Sequence, residues 1–515
     1  VYRVNDRDIL KLGENLYFQH RQSQGVQLGN QYANDFSNML RANPCIPLYN
    51  KNGEYFMYND LLNSGNKGWF VYNAFSGNPI AQVVNNQSGN NSSKSYDLHA
   101  TGFVEISPVK GLTYRGQGNY TQYSNSYRSF LPTFMINTMS GGYRNETSVT
   151  DNVGVGYNWS TTHTLNYKIE VSKHNIDILA GTEYSKSRPW YGESVNVTAT
   201  SLIFDDMLHA YIHNAENRNS ASADGYPASY GSKFSYFCRL NYNFAERYMI
   251  SAIFRADGSS KFRKGKQWGY FPSVSAGWVI SNEKFMAGAS SWLDFLKLRA
   301  GWGQNGNDNI DASQWYSGWD FGAYGQYSFN NVKEIGMTGA YPNRLANPDL
   351  SWETSEQTNV GLDARFLRGR LSLTVDWYNK MTKNLLIAVP IKSILGFSTQ
   401  VQNAGSVKNT GIEAAIGWND QVGNFKYGIN WNMAWNKNKV TQVNTPNKFV
   451  EGGNDNLAQS TGIIARMEEG FPIGYFYGYK TDGVIQNAAD RDAYLKANCK
   501  GDAKNSIQGA GIGAG

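Results

Sequence analysis

Three stretches of the chain carry residue types that could do chemistry. Gln304-Asn305-Gly306-Asn307-Asp308-Asn309-Ile310-Asp311 sets side-chain oxygens close together, as a calcium loop does. An EF-type loop closes on a Glu at position twelve, and position twelve counted from Asn305 is Tyr316, so that ligand set is incomplete. The plainer reading is a strand-to-loop turn whose Gly and Asn residues accept positive φ. His209 and His213 are four apart, with Asp205 and Asp206 beside them. On a helix that spacing could hold zinc, but the segment carries no helix signature. Trp69, Trp190, Tyr191, Trp315 and Trp319 could stack on sugar rings or on peptide side chains. Their plainer role is to pack large loops against themselves.

Reaction chemistry has little else to stand on. There is no Gly-Lys-Ser/Thr phosphate loop, no nucleophile elbow, and no motif that places two carboxylates for glycoside hydrolysis. Cys45, Cys238 and Cys499 are far apart and form no metal or redox motif. Net charge is +6, from 47 basic and 41 acidic residues, without a dense basic run, so nucleic acid is a poor partner. The sequence therefore points to no catalytic residues, no cofactor and no metal, and to ligand or partner contact through the loop aromatics.

The elements that would position those loops are strands. From Phe425 to Trp435 every second residue is large and apolar: Phe425, Tyr427, Ile429, Trp431, Met433 and Trp435. A strand turns successive side chains to opposite faces, so one face is greasy and the other wet. The pattern recurs along the chain, for instance at Val153 to Val171, Phe234 to Phe244 and Leu371 to Trp377, and a further strand is expected over Leu112 to Tyr123. It predicts about thirteen strands, with a fourteenth at Tyr475 to Tyr479. No apolar run reaches the length of a membrane-spanning helix. Mean hydropathy is −0.52, which a barrel tolerates because half of each strand faces water. Short turns alternate with long loops, as in membrane barrels. By that logic segments 22–93, 188–231, 304–353, 383–407 and 438–470 face outward. A short helix is expected near Tyr32 to Leu40, and a helical turn between Ser281 and Asp294. Glu14-Asn15-Leu16-Tyr17-Phe18-Gln19 matches a tag-cleavage sequence, yet its alternation fits a strand.

Several phrases resemble one family. They are "FRADGSSKF" from Phe254, "WGYFPSVSAGWVISNEKFM" from Trp268, "LKLRAGWGQNGNDNI" from Leu296, "NPDLSWETSEQTNVGLD" from Asn347, "NAGSVKNTGIE" from Asn403 and "GFPIGYFYGYKTDGV" from Gly470. In this order the chain resembles the SusC/RagA group of TonB-dependent outer-membrane transporters of Gram-negative bacteria. The resemblance implies an all-β, antiparallel transmembrane barrel of about 22 strands with a plugged lumen. It also implies a SusD-like surface lipoprotein as partner, TonB acting through the plug region, and import of an oligosaccharide or peptide.

Val1-Tyr2-Arg3-Val4 is not a signal peptide, and Gly509 to Gly515 does not read as a closing strand. The expectation is an internal barrel segment, with the plug before it and further strands after it. The alternative is a soluble extracellular β-protein that binds or hydrolyses glycans, which would have shorter strands and evener loop spacing.

Overall fold

Sustained alternation of apolar and polar residues gives long antiparallel strands, since each row of side chains then has a uniform environment. The computed structural model describes residues 2–3, 9–24, 47–56, 60, 78, 80, 91–135, 143–144, 146–188, 194–204, 206–216, 221–226, 230–312, 314–321, 339–452, 464–478 and 484–498. Thirteen long strands follow in chain order. They are β1 (Leu10–Ser23), β2 (Asn91–Val109), β3 (Leu112–Leu131), β4 (Ser148–Val171), β5 (His174–Arg188), β6 (Gly231–Phe244) and β7 (Tyr248–Ser259). The rest are β8 (Trp268–Val279), β9 (Leu293–Asn307), β10 (Glu353–Phe366), β11 (Leu371–Lys383), β12 (Gly405–Val422) and β13 (Phe425–Val443). Each pairs antiparallel with the next, so β1 to β13 form one continuous meander. Tyr2–Arg3 pairs with β1 beyond this set, and a hairpin of Ser194–Thr200 and Ser222–Tyr226 pairs with the upper part of β4. Among the described residues the two ends of the sheet do not meet.

The tag-like Glu14-to-Gln19 run lies inside β1, paired residue for residue with β2. The helix expected near Tyr32 to Leu40 lies outside the described residues. The fourteenth strand is a correction. Tyr475–Phe476 joins Phe449–Gly452 and Ala465–Glu468 in a separate small sheet, whose Met467 packs on the buried Val440 and Val443 of β13. Two strands run further than their apolar pattern. β3 was expected to stop at Tyr123 and reaches Leu131; β4 reaches down to Ser148. Their polar tips keep the backbone ladder because pairing uses main-chain groups, whatever the side chains. The tips end in a small core of Phe130, Val149, Ala199 and Leu202.

Short turns and long connections occupy opposite ends. Ala245 and Glu246, between β6 and β7, both hold positive φ (55° and 56°). That is the twist a tight hairpin requires. Between β8 and β9 lie two 3-10 turns, Ile280–Asn282 and Lys284–Ala289, where a helical turn was expected.

The sheet curls around its polar face. A cavity of about 610 Å³ is lined by seven successive strands, β4 to β10, and among its lining residues are Asp177, Asn241, Ser251, Ser275, Arg299 and Asn359. Strands so far apart in sequence share one cavity only if the polar face is concave. The apolar rows are therefore convex, with rings at two levels. Near the short turns Phe244, Tyr248 and Trp278 follow one another at 6.3 and 6.5 Å, and Trp292 stacks on Phe366 at 6.0 Å. Toward the long loops Trp159, Tyr184, Phe234 and Trp268 are spaced at 5.2, 6.4 and 6.4 Å. Tilted as barrel strands are, β6 from Phe234 to Phe244 spans roughly 25 Å, the height of a membrane barrel's apolar band. Cys238 sits midway on this convex face, exposed.

Candidate functional site at the long-loop mouth

The loop from 308 to 352 is fixed at both ends. At its start Asp308 is buried, 7% exposed. Its carboxylate accepts from Lys233 Nζ at 2.7 Å and from Ser259 Oγ at 2.8 Å, and its carbonyl accepts from Lys261 Nζ at 3.2 Å. A buried carboxylate is tolerable only with such partners. At the other end Trp352 packs with Phe262, Phe271 and Leu350, and its indole N–H donates to the Gln267 carbonyl at 2.7 Å. Phe271 comes from β8 and points into the concave side, where Gly306 gives it room: a Cβ at Gly306 would lie 2.0 Å from the ring.

The turn reading of 304–311 holds only for its end, where Asn307 Oδ1 accepts from the Asn309 N–H at 3.0 Å. Gln304 to Asn307 continue β9, none of these residues has positive φ, and Gly306 is there for a ring, not for a turn. Asp308 answers two side chains and a lysine, which leaves the calcium reading without its leading carboxylate.

A second long connection is stitched to the first. It forms a hairpin of Leu386–Pro390 and Thr399–Asn403. Asn347 Nδ2 donates to the Val401 carbonyl at 2.9 Å, and Gln400 Nε2 donates to the Ala346 carbonyl at 2.8 Å. Asn403 and Ser351 exchange two further bonds, at 2.9 and 3.0 Å. Side-chain amides carry both a donor and an acceptor, so each can close a loop that has no ladder of its own.

Between these loops and the tops of β5 and β6 lies a cavity of about 930 Å³. Its polar wall includes Lys233, Lys261, Asp320, Asn343, Arg344 and Gln400. Asn343 holds the wall in shape, accepting from the Gly318 N–H at 3.1 Å and donating to Asp320 at 3.3 Å. Cations, carboxylates, amides and hydroxyls alternate around it. Such a surface can exchange many hydrogen bonds with a polar solute.

The expected site residues divide. Trp69, Trp190 and Tyr191 lie outside the described residues. Trp315 is half-buried against Tyr316, ring centroids 4.9 Å apart. Trp319 is 63% exposed, on the short strand Trp319–Phe321 that pairs with Ala340–Pro342. Neither ring lines the cavity; their neighbours Gln314 and Asp320 do. The sequence marks Asp308 only as a calcium-loop oxygen, and it leaves Asn343 and Arg344 unmarked, since their signal is no more than polar residues in a long loop. His209 Nδ1 is 2.9 Å from Asp206, and this bond, followed by one from the His209 backbone N–H, holds the Asp206 carboxyl below its usual range. His213 sits on a one-turn 3-10 helix, Ile212–Asn214, and Asp205 lies outside the described residues. Among the described residues no three His, Cys, Asp or Glu side chains converge as metal ligands.

Comparison with known proteins agrees with this architecture. TonB-dependent receptor P26 of Formosa agariphila is 27% identical over 496 residues, covering 95% of this chain and 46% of that protein. TonB-dependent receptor SusC of Bacteroides thetaiotaomicron is 35% identical over 256 residues, 48% of this chain and 25% of that protein. The structure of the RagAB peptide transporter superposes with a TM-score of 0.73 at 24% identity, covering 91% of this chain and 48% of that one. The chain thus spans less than half the length of the relatives it matches. Residues 46–498 match the description "TonB dependent receptor-like, beta-barrel", and with the curled meander, the convex ring levels and the alternating connections in place, the chain belongs to that family.

Proposed function

We propose that the protein to which this chain belongs imports oligosaccharides or peptides, energised through TonB, with a SusD-like surface lipoprotein seated over the long loops. Family membership puts the chain in the outer membrane of a Gram-negative bacterium, among transporters and not enzymes. The soluble glycan-binding or glycan-hydrolysing alternative falls with it. Segments 22–93, 188–231, 304–353, 383–407 and 438–470 then face outward, and the short turns face the periplasm. TonB would act through a plug that fills the concave side.

The observation that carries this reading is the cavity of about 930 Å³ between two cross-stitched loops. Strand connection alone would not require so much fixed polar surface, and long loops on a rigid scaffold are where binding resides. A peptide cargo draws support from likeness to a structure described as a peptide transporter. Oligosaccharide remains the other cargo class that the SusC resemblance implies. Trp319 and Phe321, 63% and 73% exposed on one short strand, suit the edge of a lipoprotein contact better than a cargo stack.

Two measurements test the proposal. A deletion strain is grown on a panel of glycans and peptides, and one class should fail to support growth. In the intact protein, deletion of much of 304–353 should leave the barrel assembled while uptake and lipoprotein co-purification both fall. Undiminished uptake without that loop and without a surface lipoprotein would make a simple porin the better account.

A further inference from the structure

The wall of the mouth cavity includes an open strand edge. Phe397 to Val401 line the cavity in an unbroken run, and Thr399–Asn403 is one strand of the two-stranded hairpin. Bonded and unbonded pairs alternate along an antiparallel ladder. Ile391 N–H donates to the Ser398 carbonyl and Ala404 N–H to the Leu385 carbonyl, so Ser398, Gln400 and Gln402 turn their main-chain groups into the hairpin. Thr399 and Val401, opposite Pro390 and Ala388, turn theirs away from it. Asn347 Nδ2 takes the Val401 carbonyl at 2.9 Å and closes the row at that end. The Thr399 N–H, the Thr399 carbonyl and the Val401 N–H have no partner among the described residues. The chain is described without a break through this edge, over 339–452, and through the wall carrying Lys233 and Lys261, over 230–312.

Two half-buried cations line the same cavity. Lys261 Nζ donates to the Asp308 carbonyl at 3.2 Å, and Arg344 Nε donates to Asn343 Oδ1 at 3.1 Å. Neither makes an ion pair among the described residues, unlike Lys233, which holds the Asp308 carboxylate. Of the two acids on the wall, Asp320 is engaged by Asn343, and Asp311 lies exposed.

A strand edge repeats its outward N–H and C=O groups every second residue, roughly 6.7 Å apart. An extended peptide repeats its own at that spacing and can add itself to the edge as a further strand. Sugar hydroxyls have no such repeat. Sugar rings stack on aromatic faces, and Phe397 is the one aromatic among the described residues of this wall. We propose that the cavity takes an extended peptide, whose main chain pairs with Thr399 and Val401 and whose terminal carboxylate meets Lys261 and Arg344. This rests on the reading that cargo is received between the long loops. Main-chain pairing accepts many sequences, and a terminal carboxylate comes with every peptide, so the site would be selective for peptides without being selective among them.

The test uses the intact parent protein, immobilised in detergent, with retained ligands counted by mass spectrometry. The probes are random pentapeptides lacking Asp and Glu, as free acids, as C-terminal amides and with N-methylated main chains, and linear oligosaccharides of similar length. The free acids should be retained at least about tenfold more tightly than the amides and than the N-methylated peptides. Thr399→Pro removes only an outward N–H, so the hairpin keeps its ladder. It should weaken retention at least about tenfold. Thr399→Val loses the hydroxyl but keeps the N–H, and should bind at least about tenfold more tightly than Thr399→Pro. Changing Lys261 and Arg344 together to Gln should make acids and amides bind alike. Heat-modifiable mobility reports whether each variant's barrel has assembled. Retention of oligosaccharides in place of peptides, equal retention of acids and amides by the wild type, equal retention of N-methylated peptides, or wild-type retention by an assembled Thr399→Pro variant would each overturn the proposal. Deletion of much of 304–353 reads the underlying assignment separately. Peptide retention that survives that deletion would sink the reading that cargo sits between the loops. Retention that is lost with the loop but indifferent to Thr399→Pro would overturn the strand pairing alone.

Discussion

Arg299 on β9 reaches Asp376 on β11 across the whole width of β10. Its Nη2 lies 3.1 Å from Asp376 Oδ2, while Nε and Nη2 hold Asp363 at 2.6 and 3.0 Å. Arg299, Gly361 and Asp376 stand in one row across the three strands. The reach is possible because the middle residue is glycine: a Cβ at Gly361 would lie 2.2 Å from Asp376 Oδ1 and 2.9 Å from Arg299 Cζ. One guanidinium thus ties three strands on the concave wall.

Gly361→Val should therefore open the bridge. Valine favours strands over glycine by up to about 1 kcal/mol, and overpacking costs about 1–3 kcal/mol. The steric term wins, and a net loss of about 1 kcal/mol is expected in the urea midpoint. Asp376→Asn, which removes the charge and keeps the space, should lose less than Gly361→Val. If Gly361→Val matches wild type, the glycine is not there for the arginine.

The two faces of β13 should answer oppositely to charge. Ile429 belongs to the convex apolar row and Asn430 to the concave one. Arg on the lipid face at mid-membrane costs about 2–4 kcal/mol, whereas a lumen position mainly tunes selectivity. Ile429→Arg should reduce assembled barrel in outer-membrane fractions, and Asn430→Arg should not. Equal assembly of both variants would reverse the assignment of faces.

The short-turn end carries a pH-dependent clasp. Glu283, between β8 and β9, accepts from the Tyr248 hydroxyl at 2.6 Å, from Trp278 Nε1 at 3.2 Å and from Arg247 at 3.2 Å. The Tyr248 bond is the largest cause holding its carboxyl below the usual 4.5, followed by Trp278. A depressed native value means stability that is fully present above the unfolded value and lost as pH falls through the native one. Glu283→Gln should have a lower urea midpoint than wild type at neutral pH, and the gap should close in acid well below pH 4.5. A gap that is constant with pH would mean that packing, not the carboxylate's charge, holds the clasp.

The barrel wall was legible because its signal is periodic. Phe425 to Trp435 can adopt one pairing parity without turning six large side chains to the wet face, and the same constraint fixes each long strand. The mouth was not legible, for a physical reason. Asp308, Asn343 and Asn403 act through bonds to groups far away in sequence, Lys233, Gly318 and Ser351 among them, and such pairs leave no local period. The strand tips of β3 and β4 were missed because polar residues in a ladder look like loop. Gly306 was misread because a glycine that makes room for Phe271 and a glycine that turns the chain are the same letter.

The last prediction joins the wall to the mouth. Asp308 is where the end of β9 meets Lys233 of β6 and Ser259 of β7. Asp308→Ala would leave the Ser259 hydroxyl, 1% exposed, without its acceptor, and Lys233 without its carboxylate. Lys233 keeps solvent, so the charge term is small, and the unsatisfied hydroxyl carries most of a loss of about 1–3 kcal/mol. Asp308→Asn retains an acceptor for Ser259 and should lose less than half as much. Because Lys233 and Lys261 line the cavity of about 930 Å³, its wall should loosen in both variants while β1 to β13 stay paired. In the intact protein, Asp308→Ala should assemble normally and show reduced uptake of the cognate nutrient, with faster proteolysis confined to 308–352. Normal uptake together with accelerated proteolysis would detach the cavity from transport. Failure to assemble would instead make Asp308 a residue of the barrel, not of its mouth.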